Sequence, residues 1–121
     1  MSDSITTFFD AWGMSDDAPR AEAIASAFAA DGTYADPRSP EALQGPEAIA
    51  GYVNMFSAGA PGWTAKVVNQ STIGKTHRAT VAFGGLGPDG KEMVQLGQYF
   101  ADMDGDKITR MVGFVGTGAP E

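Results

Sequence analysis

There is no cysteine in this 121-residue chain, so disulfides, thiolate-bound metals and cysteine nucleophiles are excluded. Histidine is almost missing as well, with His77 standing alone. A metal would need carboxylates brought together from separate segments, and no metal site is expected. Basic residues are scarce too. Eight Lys and Arg face fifteen Asp and Glu, a formal net charge of −7. Such a chain repels phosphate backbones and anionic bilayers, which argues against nucleic-acid and membrane partners. No stretch approaches the ~20 apolar residues needed to cross a bilayer. The start, Met1-Ser2-Asp3-Ser4, lacks the basic region and apolar run of a signal peptide. These absences together lead to the expectation of a soluble, cytoplasmic protein. A phosphate-cradling glycine motif is also lacking, because Gly84-Gly85-Leu86-Gly87 runs into a turn and not a helix. No cofactor is expected.

What is present is an ordinary globular composition, 43% hydrophobic and 19% charged, with no repeat or linker. Residues 1–121 are read as a single domain with one core, and 116–121 as a frayed tail. Ile5, Phe8, Phe9 and Trp12 fall on one face of a helix that Gly13 closes. Asp16-Asp17-Ala18-Pro19 opens a second helix, with acids and a proline in its first turn. Ile24, Ala27 and Phe28 form its apolar face, and Gly32 is expected as its left-handed cap. A third helix begins at Pro46, carries Ile49, Tyr52, Val53 and Phe56, and ends near Gly59.

After Pro61-Gly62 the hydrophobic period changes to two. Trp63 to Ile73 reads as a strand, and His77, Ala79, Val81 and Phe83 alternate with Arg78, Thr80 and Ala82 in the next. Gly87-Pro88-Asp89-Gly90 and Asp104-Gly105 mark the turns that lead into Glu92–Asp102 and Ile108–Val115. Helices first and antiparallel strands afterwards is an α+β order. The expected architecture is a cone: three N-terminal helices packed on a strongly curved mixed, mainly antiparallel sheet. Glycines inside the strands suit bulges and curvature.

One block stands out. Phe28 and Asp31 lead to Asp36-Pro37, and Gly45, Ala48 and Ile49 follow. In order and spacing this block resembles the SnoaL-like, ketosteroid-isomerase-like branch of the nuclear-transport-factor-two-like superfamily, and a weaker likeness covers almost the whole chain. The resemblance implies the cone fold and an apolar small-molecule pocket. It also implies an aspartate, here Asp36, that moves a proton beside a substrate carbonyl, and a homodimer formed through the outer sheet face. Tyr99, Val112 and Phe114 are expected on that outer face.

Two readings of Asp36 remain open: a general base in a greasy pocket, or an Asp-Pro turn residue that bonds nearby amides. Tyr34, two residues earlier on the same strand face, is a candidate to orient a substrate oxygen, or else a half-buried aromatic with a wet tip. Counting back from Lys107-Ile108, the family's strand acid is replaced by Gln98, a weaker hydrogen-bond donor. The family's helix-1 tyrosine is replaced by Phe8, Phe9 and Trp12, of which Trp12 offers an indole N–H. The expected pocket wall is Phe8, Trp12, Phe28, Tyr52, Phe56, Val81, Phe83, Phe100 and Met111. His77 is a further ligand candidate, or a residue of the mouth or surface. The function expected is cofactor-free isomerisation or cyclisation of a small apolar carbonyl compound. The alternative is a non-catalytic ligand-binding or dimerisation module, and epoxide hydrolysis fits less well because no second pocket aspartate is evident.

Overall fold

A computed structural model describes residues 4–116 apart from 15, 61 and 88, with residue 115 described in its backbone only. The expected tail from 117 onward, the N-terminal Met1-Ser2-Asp3 and the turn prolines Pro61 and Pro88 lie outside the described residues. Three helices, α1 (Ser4–Trp12), α2 (Asp17–Ala27) and α3 (Pro46–Gly59), pack on a six-stranded sheet. The strands are β1 (Phe28–Asp36), β2 (Ser39–Gln44), β3 (Thr64–Ile73), β4 (Thr76–Leu86), β5 (Glu92–Asp104) and β6 (Lys107–Val115). Their order is β2-β1-β6-β5-β4-β3, with only β1 and β6 parallel. This is the α+β cone that the sequence pattern implies.

Helix α1 is the keystone. Its buried residues, Ile5, Phe8, Phe9, Ala11 and Trp12, come from every turn of a nine-residue helix. Phe8 meets Phe9 and Phe28 edge-on at 4.9 and 5.0 Å, the geometry that aromatic quadrupoles favour. Arg20 on α2 is 1% exposed and closes the helical layer. Its Nε donates to the Ala11 carbonyl at 3.1 Å. One Nη donates to Asp17 Oδ1 at 3.0 Å and Asn54 Oδ1 at 2.7 Å. The other donates to Ser57 Oγ at 2.9 Å and to the Met14 carbonyl. All five guanidinium protons are therefore used, and the side chain caps the end of α1 while gripping α3.

Several expectations are corrected. Helix α2 stops at Ala27, and Phe28 already opens β1. Gly32 is a strand residue near a register shift between β1 and β6, not a left-handed cap. A Cβ there would lie 2.8 Å from the Ile108 carbonyl oxygen, so close backbone approach is what requires the glycine. The stretch after Pro37 is a short edge strand, β2, paired antiparallel with β1 through Tyr34↔Leu43 and Asp36↔Ser39.

A further correction, in the β5–β6 register, decides the site. Asp102 pairs with Arg110 and Met103 with Ile108, which leaves Thr109 as an extra residue, a β-bulge. Its hydroxyl donates to the Asp102 carbonyl at 3.1 Å. A regular ladder back from Asp104↔Lys107 would set Phe100 beside Met111 and Tyr99 beside Val112. The bulge moves every pair by one, to Ala101↔Met111, Phe100↔Val112, Tyr99↔Gly113 and Gln98↔Phe114. Because side chains alternate, one residue of slip exchanges the faces. Tyr99 therefore points inward and is buried, whereas Gln98 and Phe100 lie on the outer face, where Phe100 meets Phe114 edge-on at 5.9 Å.

Candidate active site

Strand β1 delivers Asp36 to the wide end of the cone, and Pro37 stops the strand there. The Asp36 side chain then makes two sets of hydrogen bonds. Oδ1 accepts the backbone N–H groups of Arg38 and Ser39, both at 2.9 Å, the pattern of an Asx-turn. Oδ2 accepts the Tyr34 hydroxyl at 2.7 Å. The Tyr52 hydroxyl, reaching over from α3, bridges both oxygens at 2.9 and 2.8 Å. Asp36 thus anchors a turn, and the same carboxylate, 8% exposed, is also on the wall of a cavity.

That cavity measures about 500 Å³, and its aromatic wall includes Trp12, Tyr52, Phe56, Trp63, Phe83 and Tyr99. Asp36 is its inner polar group. Arg38, Gln95, Met55 and Met93 also line it and are exposed, so they form the rim. The rings pack edge to face, with Trp12 at 4.9 Å from Phe56 and 5.4 Å from Phe83. The indole N–H of Trp12 is buried and has no hydrogen-bond acceptor among the described residues. It sits among aromatic rings, whose faces are weak acceptors.

Tyr99 completes the polar cluster. Its ring stacks on that of Tyr34, centroids 6.3 Å apart and planes inclined by 20°. The ring lies over glycine: a Cβ on Gly113, its cross-strand partner, would come 2.3 Å from it. All three tyrosines are pushed above the ordinary phenol range. Burial is the first cause for each, followed for Tyr34 by the charges of Tyr99 and Asp36, and for Tyr52 by the hydrogen bond to Asp36. They are protonated donors at any physiological pH.

Of the residues expected at the site, the structure brings Asp36, Trp12, Tyr52, Phe56 and Phe83 to the cavity, with Tyr34 directly behind Asp36. Phe8, Phe28, Val81 and Met111 are buried deeper and belong to the core that backs the wall. Gln98 and Phe100 face away, for the reason given by the bulge. His77 bonds Thr72 at 2.9 Å near the β3–β4 turn. It lies six residues along β4 from Phe83, about 20 Å at ordinary strand rise, and takes no part in the cavity. Sequence reasoning missed Tyr99 and Trp63 as cavity residues. The signal for Tyr99 was its glycine partners, Gly97 two residues before it and Gly113 across the ladder, which leave room for one large ring. Trp63 has a similar companion, since a Cβ on Gly85 would meet its indole at 2.5 Å. Among the described residues no cluster of His, Asp and Glu converges to hold a metal, and no helix is long and apolar enough to cross a membrane.

The fold has many solved counterparts. A protein with a ketosteroid-isomerase-like fold from Catenulispora acidiphila, in complex with trimethylamine, superposes with a TM-score of 0.78 at 20% identity, over 93% of this chain and 85% of that one. A candidate isomerase of the SnoaL-like family from Agrobacterium tumefaciens gives 0.79 at 22% identity, over 94% and 95%. IdmH, a candidate polyketide cyclase from Streptomyces antibioticus, gives 0.75 at 16% identity, over 92% and 88%. At these identities the likeness establishes the fold alone. No curated protein matches the sequence. Residues 5–111 match the SnoaL-like domain, and the chain belongs to the SnoaL-like domain family.

Proposed function

We propose that this protein binds a small, largely apolar, carbonyl-containing molecule in the aromatic cavity and moves a proton on it without a cofactor, Asp36 serving as the base. The observation that carries this reading is the carboxylate of Asp36, set into the wall of an otherwise apolar space that is open at one rim. A ligand site usually has this form, apolar with a few convergent polar groups. For Asp36 to take a proton, one of its acceptor positions must be vacated. Tyr52 is the partner suited to leave: it is only partly buried and shares its single proton between both oxygens. Isomerisation and cyclisation, the activities named for the Agrobacterium and Streptomyces counterparts, both require such a transfer.

A second reading, ligand binding without turnover, is favoured by the number of donors already on Asp36. Two hydroxyls and two backbone N–H groups use most of the lone pairs a carboxylate has. A thermal-shift screen against apolar ketones, enols, phenols and lactones separates the readings in two steps. A stabilising compound that is converted by the wild type, and bound but not converted by Asp36→Asn, supports catalysis. Binding with no conversion of any stabilising compound supports the binder. We further propose that two copies associate through the outer sheet face, where Leu96, Phe100 and Phe114 are exposed. Sedimentation should show a dimer that Phe114→Lys dissociates, and a monomeric wild type would dismiss it.

A further inference from the structure

Charge is unevenly placed in the cavity wall. Asp36 is at the inner end, and among the described residues the wall has one other charged group, Arg38, exposed at the rim. The ion pair present among the described residues joins Arg20 to Asp17, so Asp36 has no cationic partner there. The groups that hold its oxygens are neutral: the N–H groups of Arg38 and Ser39 and the hydroxyls of Tyr34 and Tyr52. They occupy lone pairs but leave the negative charge in place, and charge acts more strongly where water is scarce. A group that lies against Asp36 is therefore served by positive charge, not by further N–H or O–H donors. An anion is opposed there for the same reason.

The rest of the wall is largely aromatic, and aromatic faces attract cations, Trp most strongly. Trp63 is turned for this. A Cβ on Gly85 would lie 2.5, 2.6 and 2.7 Å from three neighbouring atoms of its pyrrole ring, so that ring lies flat on the glycine. Its indole N–H donates to the Leu86 carbonyl at 3.2 Å, which holds the pose. The opposite face is turned away from the strand, and Trp63 lines the cavity.

We infer that the cavity binds a substituted ammonium, a nitrogen cation whose hydrogens are replaced by alkyl groups, held by the charge of Asp36 and the open face of Trp63. Alkylation matters because a primary ammonium has three donors to satisfy, and the lone pairs of Asp36 are largely taken. A quaternary nitrogen has no N–H to satisfy and presents carbon to the rings. The net charge of −7 favours the approach of a cation over that of an anion. This inference rests on the proposed small-molecule cavity but not on its proton transfer. Tyr52 has to leave Asp36 for the base to act, whereas it stays in place beside a bound cation.

The test compares three probes: choline; 3,3-dimethylbutan-1-ol, which has its shape with carbon in place of the charged nitrogen; and ethanolamine, a primary ammonium. Dissociation constants are measured by NMR titration of the full chain as wild type, Asp36→Asn and Trp63→Leu. Choline should bind about tenfold or more tighter than the neutral alcohol, and tighter than ethanolamine. Asp36→Asn keeps the shape and drops the charge, and should shrink the preference over the alcohol at least about threefold. Trp63→Leu should weaken choline by about threefold or more. It leaves Asp36 and its turn untouched, so the result does not hang on one variant folding. Equal binding of choline and the alcohol by the wild type overturns the inference, as does ethanolamine binding as tightly as choline. A choline affinity unchanged in both variants places the cation elsewhere on the acidic surface and overturns it as well. If choline fails to bind while neutral compounds stabilise the protein in the thermal-shift screen, the inference fails and the cavity stands. If neither choline nor any neutral compound binds, the cavity reading itself fails and the inference with it.

Discussion

Replacing Asp36 by Asn removes a charge without changing shape, and the surrounding donors determine the cost. The amide oxygen can keep the two backbone N–H groups of Arg38 and Ser39, now accepted by Oδ1. Its NH2 group must then face the hydroxyls of Tyr34 and Tyr52, donor against donor. Tyr34 is completely buried, so its hydroxyl loses a charged acceptor where no water can replace it. Tyr52 is half-buried and recovers part of its loss from water. A hydrogen bond to a charged group contributes about 1.5–3 kcal/mol, so the net loss should be about 2–3 kcal/mol. For a domain of this size each kcal/mol moves the melting temperature by about 4 °C, giving a fall of about 8–12 °C by calorimetry or circular dichroism. Asp36→Ala, which also loses the turn, should fall further. If Asp36→Asn melts within about 2 °C of wild type, or higher, the donors seen around the carboxylate are not holding it, and the reasoning fails. The drop by itself does not exclude a catalytic Asp36, because the same carboxylate holds the turn and the tyrosines.

Further tests address the rest of the site. Buried phenols with raised pKa bind their protons more tightly folded than unfolded, so their stabilisation is complete below about pH 10 and is lost as pH rises above it. The free energy of unfolding should fall above pH 10 by about 1.4 kcal/mol per pH unit for each of Tyr34 and Tyr99; urea titrations showing the same slope in Tyr34→Phe would contradict this. Gly113→Ala places a methyl group inside the Tyr99 ring and should cost about 1–3 kcal/mol by overpacking, with the ring driven toward the cavity and ligand binding weakened. Tyr99→Phe combined with Gly113→Ala should rescue nothing, since it is the ring and not the hydroxyl that clashes. Arg20→Met leaves the Ala11 and Met14 carbonyls and Asn54 without their donor and should cost about 2–4 kcal/mol in urea unfolding, since one buried acceptor left unsatisfied costs about 1–3 kcal/mol. Arg20→Lys, with three protons in place of five, should fall between Arg20→Met and wild type.

Much of this protein is set by local chemistry. The spacing of Ile5, Phe8, Phe9 and Trp12 makes an amphipathic helix wherever it is placed. Pro46 and the glycine-bearing turns set where α3 and the hairpins begin, and Asp36-Pro37 ends a strand in a polar turn. From these the α+β order, the cone and the place of Asp36 at a strand end follow. Helix α2's end was not legible, because Ala27, Phe28 and Ala29 fit either conformation, and pairing of β1 with the distant β6 decided for strand. The face of Tyr99 was not legible either. Alternation is strict within a strand, but a single extra residue at Thr109 reverses which partner each side chain meets, and a bulge reveals itself only when two strands pair. That reversal brought Tyr99 into the cavity and sent Gln98 and Phe100 out of it. The sequence by itself determined that an aspartate ends a strand beside aromatic residues. Only the tertiary structure decided which hydroxyls reach it, because hydrogen-bond partners are fixed by strand register and helix packing, which act between segments and not within them.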